Sequence, residues 1–481
     1  MKFKARMHNV KTVKYSAKMI LDVRDRPDIK SWIILAFQHV FAMFGATVLT
    51  PILINQAAGA TVIGVDVALF SSGIGTLIYI AITKAKVPIY LGSSIAYIGT
   101  MGSLWPLYGN SMFFGLLGVG LIYGLTAFFI YLFGTGWLKR LLPPVVVGPM
   151  IIIIGLSLAP VAVNNIFIND FSKGYIFKNG DWNIDWWGVL VAIITFFSAI
   201  LITLLCRGKI KLLPILSAMI IGLICSLIIS TWYNGLNFTK YKDIDWATLT
   251  TYINVPNFQN SLFNGVVVGD SGHWSFLPFV LMMPLAFATI AEHIGDHTVL
   301  GKIMGRDYIN GAPGLHKTLL GDGIATMAAG LIGGPANTSY GENTTTVALS
   351  RVGSVWVTGL AAIFAICMSF FQIIPTLLQL IPSHVLGGLG LVLFGFIASN
   401  GLKVLIDDKV DMFLPRNIFI ISLMLIIGLG GAIVGFNIND LSITFSGTSI
   451  AMLIGGIFNL IIPQDRGINL DKMPKIKKRL S

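Results

Sequence analysis

The chain is short of charged residues. Only 11% of its 481 residues are Asp, Glu, Lys or Arg, whereas 55% are hydrophobic and the mean hydropathy is +0.81. A soluble protein has about 25% charged residues. So few polar groups cannot cover a water-facing surface, which excludes a soluble globular domain. The composition predicts an all-α polytopic membrane protein.

Cysteine is also scarce. The three cysteines, Cys206, Cys225 and Cys367, all lie in apolar segments, where a thiol packs as a small hydrophobic group. A disulfide framework and a metal cluster are therefore not predicted. The chain also lacks a nucleophile elbow, a phosphate-binding loop and metal-ligand spacing. We expect neither an enzyme nor a cofactor.

Apolar segments recur along the whole chain. A membrane-spanning helix needs about 20 mostly apolar residues, and the basic N-terminus has no short apolar core with a cleavage site that would make it a removable signal peptide. Fourteen spans are predicted: 31–53, 63–83, 88–103, 111–133, 142–163, 185–206, 211–232, 277–300, 316–334, 337–350, 353–380, 383–404, 416–437 and 447–463.

The distribution of Lys and Arg orients these spans. With the N-terminus in the cytoplasm, only four of the 33 basic residues fall in outer loops: Lys173, Lys178, Lys240 and Lys242. Cytoplasmic loops of membrane proteins carry the excess of Lys and Arg. The asymmetry predicts that both termini are cytoplasmic. It also explains the net charge of +12 without a nucleic-acid partner.

Fourteen spans divide into two sets of seven. Since seven is odd, a second half built like the first enters from the opposite side, which is an inverted repeat. The third span of each half is short and begins with Pro, Gly and Ser nearby: KVPIYLGSSIAYIG (86–99) and GPANTSYGENTTT (334–346). Half-helices that begin inside the membrane direct unpaired N–H groups at a cavity or ligand. We expect two discontinuous half-helix spans with a short buried strand pair.

Five carboxylates fall inside the predicted spans: Asp66, Glu292, Asp296, Asp322 and Glu342. A carboxylate at that depth costs at least about 2.5–3.5 kcal/mol and is a functional candidate by default. No Lys or Arg lies deep in any span. Buried acids beside backbone donors, without a buried base, favour a neutral, polar, planar ligand. Protonatable carboxylates also favour proton coupling.

The segment IAEHIGDHTV (290–299) holds most of this chemistry. Glu292 and Asp296 are spaced i, i+4 and share one helix face, whereas His293 and His297 form a second stripe about 100° further round. The alternative is a span that ends early, with this cluster in cytoplasmic water. We expect functional acids and a packing role for His293, and leave His297 open between an interfacial and a functional role.

Four further residues complete the polar set. Gly341 allows close backbone approach to a ligand, which favours a site role for the neighbouring Glu342 over a simple helix-dipole role. Asp322 is either a proton-relay member or a partner for a neighbouring helix. Asp66 lies near a span end and is predicted to be interfacial. His39 is predicted to hydrogen-bond across to another helix.

Six segments carry a family resemblance, in order along nearly the whole chain. They are LAFQHVFAMFGATVLTPIL (35–53), VPIYLGSSIAYIGT (87–100), IAEHIGDHTV (290–299), PGLHKTLLGDG (313–323), NTSYGENTTTVALSRVGS (337–354) and GGLGLVLFGFIASNGLKVLI (387–406). Together they resemble the nucleobase–ascorbate, or nucleobase–cation symport-2, transporters, and within them the bacterial uracil carriers. The resemblance implies import of uracil with protons across the cell membrane by alternating access.

The resemblance also implies how the chain is divided. The fold is a 14-span, 7+7 inverted repeat made of a core domain and a gate domain, and the protein is a homodimer in the lipid bilayer. The implied parts are a cytoplasmic N-terminal segment (1–30), core spans (31–133 and 277–380), gate spans (142–232 and 383–463), an extracellular loop (233–276) and a cytoplasmic tail (464–481).

Site residues follow by position from the same resemblance. Substrate contacts fall on the side chains of Glu292 and Glu342, on backbone groups of Tyr340, Gly341 and Ile95, and on Ala46 and Phe394 beside them. Proton coupling falls on Glu292, Asp296 and Asp322. Three positions depart from the family pattern: Thr345 replaces a Gly, Ser350 replaces a Thr, and Phe394 replaces a Tyr of the uracil carriers.

Three other functions stay open at this point. A xanthine or other nucleobase symporter is compatible with Asp296 and Asp322. An anion exchanger on the same 7+7 fold is disfavoured, because Glu292 and Glu342 are acids where an anion would bind. A membrane enzyme or scaffold without transport is the third, and uptake into vesicles separates it.

Overall fold

A computed structural model describes residues 19–168, 177–178, 181–206, 214–232, 253–262, 275–371, 373–374, 381–438 and 441–463. Both ends of the chain and most of the loop 233–276 lie outside these residues. So do three of the outer-loop lysines, Lys173, Lys240 and Lys242.

The described residues are mostly helical. The first half contains α1 (Ile29–Ala58), α2 (Val65–Ile82), β1 (Leu91–Ser93), α3 (Ile98–Tyr108), α4 (Phe114–Phe133), α5 (Gly136–Leu141), α6 (Pro144–Ser157), α7 (Ala159–Phe167), β2 (Phe177–Lys178), β3 (Asp181–Trp182), α8 (Trp186–Leu205) and α9 (Pro214–Trp232). The second half contains α10 (Leu277–Met282), α11 (Leu285–Met304), α12 (Leu315–Ile332), β4 (Asn337–Ser339), α13 (Gly341–Ser350), α14 (Val355–Ser369), α15 (Ser383–Asp407), α16 (Pro415–Leu429), β5 (Ile433–Ile438), β6 (Leu441–Ser446) and α17 (Gly447–Ile461).

Each predicted span overlaps at least one of these helices. Eight helical stretches among the described residues are long and apolar enough to cross a membrane, and α14, α16 and α17 are shorter apolar helices. The mostly helical, multi-pass architecture is thereby confirmed.

One predicted span ends differently. The prediction 416–437 continues a helix to its end, but α16 stops at Leu429 and the chain turns into β5, which pairs antiparallel with β6. Gly431 has a φ of +70°, the left-handed conformation that ends helices. The apolar run beyond it starts with β-branched residues, which suit a strand as well as a helix.

The predicted buried strand pair is present. β1 and β4 run antiparallel, with Leu91 opposite Ser339, Gly92 opposite Thr338 and Ser93 opposite Asn337, and all six residues are buried. Side chains from adjacent helices satisfy the remaining backbone groups. Thr76 accepts from the Leu91 N–H at 2.9 Å, and Thr326 donates to the Asn337 carbonyl at 2.6 Å. The strand pair therefore leaves little backbone unpaired in the apolar interior.

Gly92 lets the ring of Tyr340 lie directly against β1. A Cβ at position 92 would lie 2.3 Å from Tyr340 Cε2. The Tyr340 hydroxyl donates to the Ser93 carbonyl at 2.9 Å and accepts from Thr47 Oγ1 on α1 at 3.1 Å. One side chain thus joins the start of α13 to β1 and α1.

The helices pack in two sets. In one set α12 packs against α4 and α2, and α14 against α2 and α1; in the other α15 packs against α6, α7 and α8, and α16 against α17. Small residues allow the close approach: a Cβ at Gly323 of α12 would lie 2.6 Å from Tyr123 Cβ on α4. An amide pair links the sets, since Asn165 Nδ2 at the end of α7 donates to Gln56 Oε1 at the end of α1 over 2.8 Å and Gln56 donates back.

Gly92→Ala is expected to destabilise the protein by about 1–3 kcal/mol, because the methyl group overlaps the Tyr340 ring and forces it from β1. The measurement is the thermal unfolding midpoint of the purified protein in detergent. Gly99→Ala is the matched control, since its nearest neighbour would be 3.9 Å away. Equal midpoints for the two variants would show that the ring does not depend on the missing Cβ.

Candidate functional site

The two half-helices start on either side of the strand pair. A 3₁₀ turn at Ile95–Tyr97 leads from β1 into α3, and Tyr340 leads from β4 into α13. Neither N-terminus has a side-chain cap, so their first N–H groups remain available. Gly341 is exposed and Glu342, in the first turn of α13, is partly exposed. The start of α13 therefore faces a cleft rather than the packed interior.

Glu292 and Asp296 lie on the face of α11 that reaches this cleft, and both are partly exposed. Asp296 Oδ2 accepts from the Ser339 hydroxyl at 3.1 Å, and Asp296 Oδ1 would lie 3.6 Å from a Cβ at Gly341. The structure thus brings the α11 acids and the N-terminus of α13 together. Ser339 is a contact that sequence reasoning missed, because its only signal was its place beside the half-helix.

His293 and His297 occupy the other face of α11. Both side chains are fully buried. His293 Nδ1 lies 2.7 Å from Asp322 Oδ2 of α12, and His297 Nε2 lies 2.6 Å from the Tyr79 hydroxyl of α2. The early-ending span and the interfacial role for His297 are therefore wrong: α11 continues to Met304 and packing covers His297. Tyr79 was not predicted.

His39 forms the cross-helix bond predicted for it. Asn343 is the residue after Glu342 in α13. Its Nδ2 donates to His39 Nδ1 at 3.1 Å and lies 3.4 Å from the His39 carbonyl. Both side chains are buried. This contact holds α13 against α1. Asp66 sits in the first turn of α2 and accepts from the Asn257 N–H at 2.7 Å, as a span-end residue would.

The remaining predicted residues are Ala46, Ile95 and Phe394. Ala46 is 1% exposed on α1, and Ile95 is partly buried at the 3₁₀ turn. Phe394 is 2% exposed on α15, where its carbonyl would lie 2.6 Å from a Cβ at Gly155 of α6. The structure places Phe394 within the packing of α15 and α6.

Two residues of α6 reach the site from the second helix set. Val147 and Ile151 form a small apolar cluster with Ala291, the residue before Glu292. The acids therefore sit where the two helix sets meet. Among the described residues no three His, Cys, Asp or Glu side chains lie close enough to hold a metal ion.

A mostly helical multi-pass protein with two half-helices starting beside accessible acids belongs to the class of membrane carriers. More particularly, the chain belongs to the Permease family, whose model matches residues 30–435. The family predicted from the six segments is confirmed, and the protein is a permease and not an enzyme.

Curated relatives match over most of their length. The uracil permease of Bacillus subtilis (strain 168) is 40% identical over 453 residues, covering 93% of this chain and 96% of the relative. The uracil permease of Escherichia coli (strain K12) is 34% identical over 443 residues, covering 92% and 94%. The putative pyrimidine permease RutG of Escherichia coli (strain K12) is 30% identical over 436 residues, covering 89% and 88%.

Solved structures show the same fold at low identity. The transmembrane domain of the cyanobacterial bicarbonate transporter BicA has a TM-score of 0.55 at 16% identity, with 88% of this chain and 96% of that chain covered. The murine anion transporter Slc26a9 in the inward-facing state has a TM-score of 0.62 at 12% identity, covering 95% and 73%.

The bond between Asn343 and His39 is expected to stabilise the docking of α13 by about 0.5–1.5 kcal/mol. His39→Ala, Asn343→Ala and the double variant form a cycle, measured by thermal unfolding in detergent. The double variant should lose less stability than the sum of the single variants. Thr345→Ala, at an exposed position of the same helix, is the control and should change stability by at most about 0.5 kcal/mol. Strict additivity in the cycle would refute the coupling.

Proposed function

We propose that this chain imports uracil across the cell membrane together with protons, by alternating access. The observation that carries the proposal is the meeting of Glu292 and Asp296 with the uncapped N-terminus of α13 in a partly exposed cleft. The relatives from Bacillus subtilis and Escherichia coli are named uracil or pyrimidine permeases, and the match covers 88–96% of each of them. These names support uracil as the substrate.

The chemistry of the cleft suits a planar base. Uracil offers two N–H donors and two carbonyl acceptors on amide-like edges. The carboxylates of Glu292 and Glu342 accept from N–H groups, and a protonated carboxylic acid both donates and accepts. The first N–H groups of α13, at Gly341 and its neighbours, carry partial positive charge and can donate to a carbonyl oxygen of the base. Tyr340 and Ile95 contribute backbone, and Ala46 and Phe394 shape the surroundings.

The two helix sets correspond to two domains that move against each other. Spans 1–4 and 8–11 form a core domain (31–133 and 277–380), and spans 5–7 and 12–14 form a gate domain (142–232 and 383–463), in a 14-span 7+7 inverted repeat. Both termini are cytoplasmic and the carrier is a homodimer. The contact of Val147 and Ile151 with Ala291 supports a substrate site between the two domains.

Protons enter the mechanism through the acids. In the outward-open state a proton binds to the Glu292 and Asp296 pair and removes one of its negative charges, uracil binds, and the core moves against the gate. A charged, empty site would be costly to carry past an apolar barrier, so proton and base travel together. Because the acids are close, they titrate as a pair and the proton belongs to neither alone. Asp322 stands behind them as a relay member.

The likeness to anion transporters concerns the fold alone. Glu292 and Glu342 place acids beside the half-helix N-terminus, where a bound anion would be repelled. Xanthine is the competing substrate within the family, because the acids also accept from purine N–H groups.

Uptake of labelled uracil into proteoliposomes, with and without an inward proton gradient, tests the proposal. Gradient-driven uptake that excess unlabelled xanthine leaves unchanged is the expected result. Absence of uracil uptake would show that uracil is not the substrate, and strong inhibition by xanthine would show that the site also accepts a purine base.

Glu292→Gln is expected to reduce gradient-driven uptake by at least about 100-fold, because an amide cannot carry the transported proton. Asp66→Asn is the matched control: it makes the same chemical change at a span end and retains an oxygen that can accept from Asn257. Uptake by the Glu292→Gln protein at the level of this control would remove Glu292 from the mechanism.

The Gln56 and Asn165 pair is expected to lie on the closed outer face of the carrier. Replacing both by cysteine, in a chain whose three native cysteines are replaced by Ala, should allow a short bis-methanethiosulfonate reagent, which forms a reducible disulfide with each thiol, to cross-link α1 to α7. Uptake should stop on cross-linking and return on reduction, since the linked core cannot part from the gate. Full uptake by the cross-linked protein would mean that this contact never opens during transport.

A further inference from the structure

A short segment before α1 lies along the turn that joins α13 to α14. Residues 19–25 are called here the N-terminal strap, and within them Leu21 forms a parallel β-bridge with Val352. The Gly353 N–H donates to the Leu21 carbonyl at 2.9 Å. Backbone hydrogen bonds therefore bind the N-terminal strap to the turn, as they would an added strand.

The N-terminal strap also satisfies backbone groups at two helix ends. Arg351, which ends α13 with a φ of +57°, lies where helical carbonyls have no partner within the helix. Its carbonyl accepts from the Ile20 N–H at 2.8 Å. At the first residue of α14, the Val355 N–H donates to the Val23 carbonyl at 3.0 Å. The end of α13 and the start of α14 thus both receive hydrogen bonds from the N-terminal strap.

One apolar side chain anchors the N-terminal strap in the interior. Val23 is 2% exposed and belongs to a buried cluster that includes Leu300 of α11 and Val347 of α13. Beside it, Asp22 Oδ2 accepts from Arg306, just beyond the end of α11, at 2.5 Å. The N-terminal strap therefore joins the ends of the two helices whose other parts carry the acids of the cleft.

The ion pair contributes little to this anchoring. The side chains of Arg306 and Asp22 are 44% and 51% exposed, and exposed ion pairs contribute at most weakly to stability. The buried side chain of Val23 and the backbone hydrogen bonds are what hold the N-terminal strap in place. Val23 is therefore the position at which its role can be tested.

The helix α13 needs support at both ends. It has ten residues, Gly341–Ser350, and isolated helices shorter than about 12–15 residues are marginal in water. Six of the ten are Gly, Asn, Thr or Ser, which favour a helix less than Ala or Leu does. The bond between Asn343 and His39 holds its beginning, and the N-terminal strap holds its end. Glu342 lies about 12 Å along the helix axis from that end.

We propose that the N-terminal strap is a positioning element for substrate binding. It fixes the end of α13 against the end of α11, so that Glu342 keeps its place relative to Glu292 and Asp296. Its own residues do not touch the substrate, and it stays attached to α13 throughout the transport cycle. The proposal rests on the proposed function, in which these acids bind uracil.

The first test asks whether α13 depends on the N-terminal strap, and it uses no substrate. Val23→Ser in the full chain should release the strap, because it places a hydroxyl group in an apolar cluster. Hydrogen–deuterium exchange in peptides from 341–350 should then rise at least about tenfold. Ile20→Ser is the matched control, since it introduces the same side chain in the same segment at a position that is 68% exposed.

The second test asks whether the N-terminal strap acts on substrate binding. In proteoliposomes, Val23→Ser should raise the KM for uracil uptake at least about tenfold and leave the maximal rate per folded carrier within about twofold. Ile20→Ser should behave like the wild type. A purely structural role would reduce the number of folded carriers and leave KM unchanged. If Val23→Ser does not fold, Val23→Ala takes its place, with an expected rise in KM of at least about threefold.

The third test reattaches the N-terminal strap. Paired residues on adjacent strands lie about 4.7–4.9 Å apart, which a disulfide can span. Leu21→Cys and Val352→Cys, in a chain whose three native cysteines are replaced by Ala, should therefore form a disulfide on oxidation. In the Val23→Ser background oxidation should return KM to within about twofold of the wild type, and reduction should raise it again.

Several results would overturn the proposal. Unchanged exchange in 341–350 would show that α13 does not depend on the N-terminal strap, and raised exchange with unchanged KM would make the strap purely structural. A KM that stays high after oxidation would mean that Val23→Ser does not act by detachment. Loss of uptake in the oxidised protein that retains Val23 would mean that the strap must detach. If the wild type takes up no uracil, the proposed function is wrong, and the exchange measurement alone then decides whether the strap fixes α13.

Discussion

The need to pair every backbone polar group inside an apolar environment controls this structure. Two spans break in the middle of the protein, and their broken ends are held by the antiparallel pair of β1 and β4. Thr76 and Thr326 satisfy the edges of that pair from adjacent helices. What remains unpaired is the first turn of each half-helix, and these N–H groups are where a ligand can be bound.

The site depends on how α11 divides its polar residues. One face carries Glu292 and Asp296 to the cleft, and the next face carries His293 and His297 into the packed interior. The 3.6-residue period of the helix produces this division. Four groups that would be expensive in a lipid-facing helix are thereby separated into a pair that faces the cleft and a pair that contacts only protein.

The fold does not by itself choose the substrate. Chains that share it at 12–16% identity include a bicarbonate transporter and an anion transporter. This chain places acids beside the N-terminus of α13, where a carboxylate repels anions and can accept from the N–H groups of a neutral ligand. The fold alone therefore does not fix the charge of the ligand.

Hydropathy and helical period determined much from the sequence alone, because each is a local property. They indicated the spans, the two interrupted segments, the strand pair and the acids of 290–299. Hydropathy failed at 433–438, where an apolar stretch after Gly431 became β5, since apolarity does not distinguish a strand from a helix.

Only the tertiary structure decided the partners of the buried polar groups. His293 meets Asp322 across 29 residues, Asp296 meets Ser339 across 43, and His297 meets Tyr79 across 218. No periodic pattern encodes such pairs. They exist because α2, α11, α12 and β4 pack around one point, and the geometry of that packing is set by many apolar contacts at once.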